Sequence, residues 1–95
     1  MKNNSFLHLF RWLLEHAELI EEYNSTVEEL KKHYLEEADV PEFIVNHKTI
    51  NSKIGSFLFI IYGNSLEKSE DKPKRYNIRY SAKPVRPVLI GDYYE

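Results

Sequence analysis

Residues 48–62, Lys-Thr-Ile-Asn-Ser-Lys-Ile-Gly-Ser-Phe-Leu-Phe-Ile-Ile-Tyr, decide the fold. Ile50, Ile54, Phe57, Leu58 and Ile61 recur at three- and four-residue steps, which predicts a helix with one apolar face. Asn46-His47-Lys48-Thr49 forms a turn and cap ahead of it. Gly63-Asn64 closes it, because glycine tolerates the left-handed angle past a helix end. Gly55 leaves room for another helix to come close. Phe59, Ile60 and Tyr62 widen the apolar surface, so a helix to about 56 followed by a strand over 56–62 is the alternative.

Towards the amino terminus, residues 5–22 predict a first helix. Phe6, Leu9, Phe10, Leu13, Leu14, Ala17 and Ile20 make a wide apolar stripe, with Asn4 or Ser5 as cap. Ser25-Thr26-Val27-Glu28 reads as a capping box, Ser25 and Glu28 exchanging hydrogen bonds at the start of a second helix over about 26–37. Val27, Leu30, Tyr34 and Leu35 face inward, and Asp39-Val40-Pro41 ends the helix. Phe43-Ile44-Val45 is a short apolar piece, read as an edge strand.

Towards the carboxyl terminus, residues 66–74 are charged and carry Pro73, which predicts a surface loop. Arg75-Tyr-Asn-Ile-Arg-Tyr80 alternates, so Tyr76, Ile78 and Tyr80 face inward and Arg75, Asn77 and Arg79 outward. Pro84 and Pro87 keep the next segment out of a central strand position. Val88–Ile90 reads as an edge strand or a segment packed across the body, and Tyr93-Tyr94 as packing on the body or on a second copy.

Ninety-five residues bound this to one domain, 1–95, with one core. Aromatics at 14% argue against disorder. There is no cysteine, which excludes disulfides and thiolate chemistry and fits a reducing, cytoplasmic setting. No apolar run approaches the ~18 residues of a membrane span. The first residues lack the uninterrupted apolar centre of a signal peptide, since His8, Arg11, Glu15 and His16 break it.

The net charge of −2 conceals a division. Residues 1–45 carry four basic groups and ten acids, whereas residues 46–95 carry nine basic groups and five acids. The acidic helical half thus stands against a basic helix-plus-hairpin half. Three helices and then a hairpin with a charged tip is the order of an α+β winged helix-turn-helix, residues 64–80 being the wing. The candidate nucleic-acid contacts are Lys48, Asn51, Ser52 and Lys53 at the start of the third helix. Lys68, Lys72, Lys74, Arg75 and Arg79 join them from the wing. The expected partner is DNA, double-stranded.

The stretch from Glu28 to Tyr80 resembles the winged-helix domain that follows the ATPase in phage- and poxvirus-type primase-helicases. The likeness lies in Glu29-Leu-Lys-Lys-His-Tyr34, in Lys48-Thr-Ile-Asn-Ser-Lys-Ile-Gly-Ser-Phe-Leu58 and in Arg75-Tyr-Asn-Ile-Arg-Tyr80. Ile50 stands where that family usually has an aromatic, and Asn77 where it often has glycine. The resemblance implies a free-standing DNA-binding module from a phage, virus or mobile element. No glycine-rich phosphate loop with Lys-Ser/Thr is present, so helicase and primase activities are not implied.

The competing reading is a small inhibitor or adaptor that binds a host protein. It would use Glu18, Glu21 and Glu22 on the acidic half, or an apolar surface of Phe59, Ile60, Tyr62 and Val88–Ile90. A homodimer pairing acidic half with basic half is a further expectation. His8, His16, His33 and His47 read as solvated positions, Trp12 as core, and no set of ligands has metal spacing. No nucleophile–base pair has supporting spacing, so neither enzymatic activity nor a cofactor is expected.

Overall fold

The structure is a computed structural model that describes residues 6–86. It is α+β. In chain order it has α1 (Leu7–His16), β1 (Ala17–Leu19), α2 (Val27–Glu37), the single turn α3 (Glu42–Val45), α4 (Ile50–Tyr62) and β2 (Ile78–Tyr80). The expectations for Asn4, Ser5, Val88–Ile90 and Tyr93-Tyr94 lie outside the described residues.

Helix α1 buries Leu9 and Leu13 of the expected stripe together with Trp12, leaving Phe10 and Leu14 half-buried, but it stops at His16 rather than reaching Glu22. Its last four carbonyls explain the stop, since a helix end leaves four acceptors that need donors. Leu13 O accepts from Ala17 N. Leu14 O accepts from the Arg86 guanidinium at 2.6 Å. Glu15 O and His16 O accept from the amides of Val85 and Ser81 at 2.7 and 2.8 Å. The chain then turns extended at Ala17, and β1 pairs antiparallel with β2: Ala17 opposite Tyr80, Glu18 opposite Arg79, Leu19 opposite Ile78. Ala-Glu-Leu-Ile-Glu-Glu would extend a helix by propensity, and tertiary pairing overrides it.

Helix α2 is capped one residue later than Ser25 and Glu28 suggest. Thr26 Oγ1 accepts from Glu29 N at 3.0 Å, and Glu29 Oε1 accepts from Thr26 N at 3.2 Å. Ser25 is engaged elsewhere: its carbonyl accepts from Tyr76 N at 2.8 Å, joining it to the sheet. Leu30 and Tyr34 are buried. The expected strand at Phe43–Val45 is a helical turn instead, with the amides of Ile44 and Val45 donating to Pro41 O. Ile44 alone of the three is buried, and the turn satisfies backbone groups for which no neighbouring strand is at hand.

Helix α4 runs unbroken to Tyr62, so the alternative strand over 56–62 does not form. Ile50, Ile54 and Leu58 are buried at four-residue steps, and Gly63 leaves the helix at φ 56°. Beyond a short 3-10 turn, residues 67–69 and 75–77 fold back on each other. Ser69 N donates to Arg75 O at 2.8 Å, and Asn77 N to Glu67 O at 3.2 Å. Residue 76 thus bridges to Lys68 on one side and Ser25 on the other.

The core lies between α1, α2 and α4 and is closed by the sheet. Leu9, Leu13, Leu30, Tyr34, Ile44, Ile54, Leu58 and Ile78 have no solvent exposure. Each such aliphatic side chain contributes about 1.5–3 kcal/mol of transfer free energy. Trp12 is core, stacked on Tyr80 with centroids 5.9 Å apart and edge-on to Tyr34 at 5.2 Å. Asn77, expected outward, is buried. Its amide donates to Ser65 O at 3.0 Å and accepts from Glu67 N at 2.7 Å, a tie that alternation along the strand does not foretell.

Candidate nucleic-acid interface

The predicted contacts divide by what holds them. Lys68, Lys72 and Lys74 are exposed on the hairpin and make no ion pair among the described residues. The ammonium of Lys68 stands 5.9 Å from the centre of the Tyr76 ring. Lys48 and Ser52 are exposed at the start of α4.

The hairpin is held beside α4 at Gly55. A Cβ there would lie 3.4 Å from the Tyr76 hydroxyl, so what comes close to Gly55 is a tyrosine rather than a helix. Lys53 is on another flank. Residues two apart on a helix are rotated by about 200°, and the Lys53 ammonium reaches the Phe6 ring, 5.2 Å from its centre. Lys53 therefore does not join the hairpin lysines, and the expected single basic face is split.

The remaining three contacts are occupied by acids or carbonyls. Asn51 Nδ2 donates to Glu28 Oε2 at 2.5 Å. Arg75 Nη1 donates to Asn24 O at 2.6 Å and to the Glu29 carboxylate at 3.3 and 3.4 Å. Arg79 Nη2 donates to Glu18 Oε1 at 3.0 Å, directly across the β1–β2 pair. Neither the sequence spacing nor the charge pattern pointed to Glu28, Glu29 or Asn24 as partners. Thr26-Val27-Glu28-Glu29 also fits the capping-box pattern, an alternative to Ser25 and Glu28 that went unread, and it puts Glu29 at the head of α2. Of the acids assigned to protein docking, Glu18 is thus committed to Arg79, while Glu21 and Glu22 are exposed.

The histidines are less solvated than expected. His8 Nδ1 is 2.8 Å from the Tyr34 hydroxyl, and His16 Nδ1 is 2.7 Å from Ser81 O. His33 lies flat on the Tyr80 ring at 4.0 Å and meets Glu37 at 3.4 Å. His47 is exposed, yet it accepts from Thr49 N at 3.2 Å and stands edge-on to the Phe6 ring at 5.0 Å. Burial, then the Arg11 charge, lowers the pKa of His8. Burial pushes the Tyr34 phenol well above its ordinary range. Glu37 accepts from the Tyr80 hydroxyl, which holds the carboxyl below its usual value and pushes the phenol up to about 12. Among the described residues no three His, Asp or Glu side chains converge to hold a metal ion, and no helix is long and apolar enough to cross a membrane.

Comparison of the chain with protein-family models, with curated proteins and with solved structures gave no match.

Proposed function

We propose that this protein is a DNA-binding winged helix that grips duplex backbone through its hairpin. The observation that carries the reading is the set Lys68, Lys72 and Lys74, free of internal ion pairs among the described residues, on a hairpin that packs beside α4 at Gly55. The element order supports it too, with β2 continuing the hairpin strand that lies between Ser25 and Lys68. Lys48 and Ser52 at the head of α4 add a phosphate-capable and a base-edge-capable side chain. Lysines of this kind position the duplex and carry no sequence information. With the reading go a phage or mobile-element origin and a cytoplasmic location, both resting on the sequence alone. It is a binding role, not an enzymatic one.

A mobility-shift titration tests it. Three lysine–phosphate contacts predict a slope of log affinity against log salt of about −2.7. The double variant Lys72→Glu, Lys74→Glu should lose at least about ten-fold at low salt, alike for all duplex sequences. Failure of the wild type to retard any duplex or single strand at low salt overturns the reading.

One observation favours a second role. Phe59 and Ile60 are 60% and 63% exposed on the outer side of α4, large apolar groups that a purely polar groove contact does not use. In that reading α4 docks on a protein. Phe59→Ser with Ile60→Ser would then abolish complex formation on a sizing column while DNA retention stays unchanged.

A further inference from the structure

Three of the nine predicted nucleic-acid contacts are held, one by one, by carboxylates of the acidic half. Glu28 takes Asn51, Glu29 takes Arg75 and Glu18 takes Arg79, at 2.5, 3.3 and 3.0 Å. Glu28 also pairs with Lys31 at 3.6 Å. We infer that these acids are internal competitors for the phosphates that the proposed function requires, so that the amino-terminal half restrains binding by the carboxyl-terminal half.

The inference rests on the DNA-binding reading and adds its regulation. Its physical basis is the exposure of the ion pairs. The side chains of Arg75 and Glu29 are 42% and 50% exposed, and those of Arg79 and Glu18 are 56% and 37% exposed. Pairs this open gain little in water and are screened by salt, so an approaching phosphate can take the cation at small cost. A carboxylate left behind still repels the phosphate backbone. Both effects lower affinity without any change of fold. They also leave Lys68, Lys72 and Lys74 as the first contacts, with Arg79 and Arg75 following when the acids release them.

The experiment uses the full chain and a short mixed-sequence duplex with a fluorescent label. Glu18→Gln removes the charge that holds Arg79, and Glu28→Gln the charge that faces Asn51 and Lys31, the amide oxygens remaining as weaker acceptors; Glu29 is left intact because it caps α2. Glu36→Gln is the control: the residue is exposed on α2 and removes the same formal charge. Each of the first two variants should bind about two- to five-fold tighter at low salt. The gain should fade as salt is added, and Glu18→Gln should steepen the salt slope by about 0.9 as Arg79 takes a phosphate. Circular dichroism should show the same fold in all variants.

Unchanged affinity in Glu18→Gln and Glu28→Gln, alongside lost affinity in Lys72→Glu, Lys74→Glu, overturns the competition and leaves DNA binding standing. An equal gain in Glu36→Gln also overturns it, because general charge would then be the cause. Binding seen in neither the wild type nor the acid variants overturns the DNA-binding reading itself.

Discussion

The carboxamide of Asn77 adds two side-chain hydrogen bonds to the segment at residues 65–67, beside the backbone bond from Asn77 N to Glu67 O. It receives Glu67 N and donates to Ser65 O from a buried position. Replacing it with alanine removes both hydrogen bonds, each worth about 0.5–1.5 kcal/mol net. Asn77→Ala should therefore lower the denaturation midpoint markedly and speed amide exchange at Glu67, with little effect on α1. His8 gives a pH dependence. Its folded pKa is below the ordinary 6.5, so the unfolded chain takes up its proton first as the solution is acidified. Stability should be full above 6.5 and drain as pH falls towards the folded value, and His8→Gln should remove that part of the loss in denaturant titrations. Tyr80 acts at the other end of the scale. Its phenol, raised from 10 to about 12 chiefly by Glu37, stabilises the fold below 10, and that contribution is lost as pH rises through about 12. Tyr80→Phe should flatten the alkaline loss.

At the scale of elements, what could be read in advance was what depends on neighbours three and four residues away. The spacing of Ile50, Ile54 and Leu58 makes α4, and Leu30 with Tyr34 makes α2. The cap of α2 slipped by one because Ser25 and Thr26 are both competent, and the pairing of Ser25 with Tyr76 decides between them. Thr26→Ala should cost about 1 kcal/mol in thermal melts, and Ser25→Ala clearly less, since only Thr26 receives a helix amide. The end of α1 was hidden for a stronger reason: nothing near His16 stops a helix. The stop comes from Ser81, Val85 and Arg86. Arg86 also lies over the Tyr62 ring at 5.4 Å, so it joins α1 to α4. Arg86→Ala should destabilise by about 1–2 kcal/mol and fray the last turn of α1 first, measured by amide exchange at Ala17. The candidate site was half legible on the same grounds. Lysines on a Pro-containing charged loop announce exposure, whereas Arg75 and Arg79 meet carboxylates 46 and 61 residues away.

Over the whole molecule, charge segregation along the chain does not survive as segregation in space. The folded sheet places Glu18 against Arg79, and the head of α2 places Glu29 against Arg75. Lys48 and the hairpin's Lys68, Lys72 and Lys74 keep no ion pair among the described residues, with Glu67, Glu70 and Asp71 interleaved among the last three. If the protein binds DNA as proposed, steering of the polyanion should come from the hairpin side, and the association rate with duplex should fall with salt more in the wild type than in Lys72→Glu, Lys74→Glu. The core follows apolar periodicity, so its nine fully buried hydrophobic side chains come from all four helices and both strands.

The closure of α1 by residues 81–86 has a bearing on biosynthesis. Its partners arrive 65 and 72 positions after the groups they satisfy. While the nascent polypeptide is still being translated, the first helix has no acceptor saturation at its trailing end and the first strand has no mate. A ribosome stalled before codon 78 would present Leu13, Ala17 and Leu19 to whatever chaperone or protease is near. Completion of this fold waits on closures that span 65 and 72 residues, and contacts so distant in sequence form slowly.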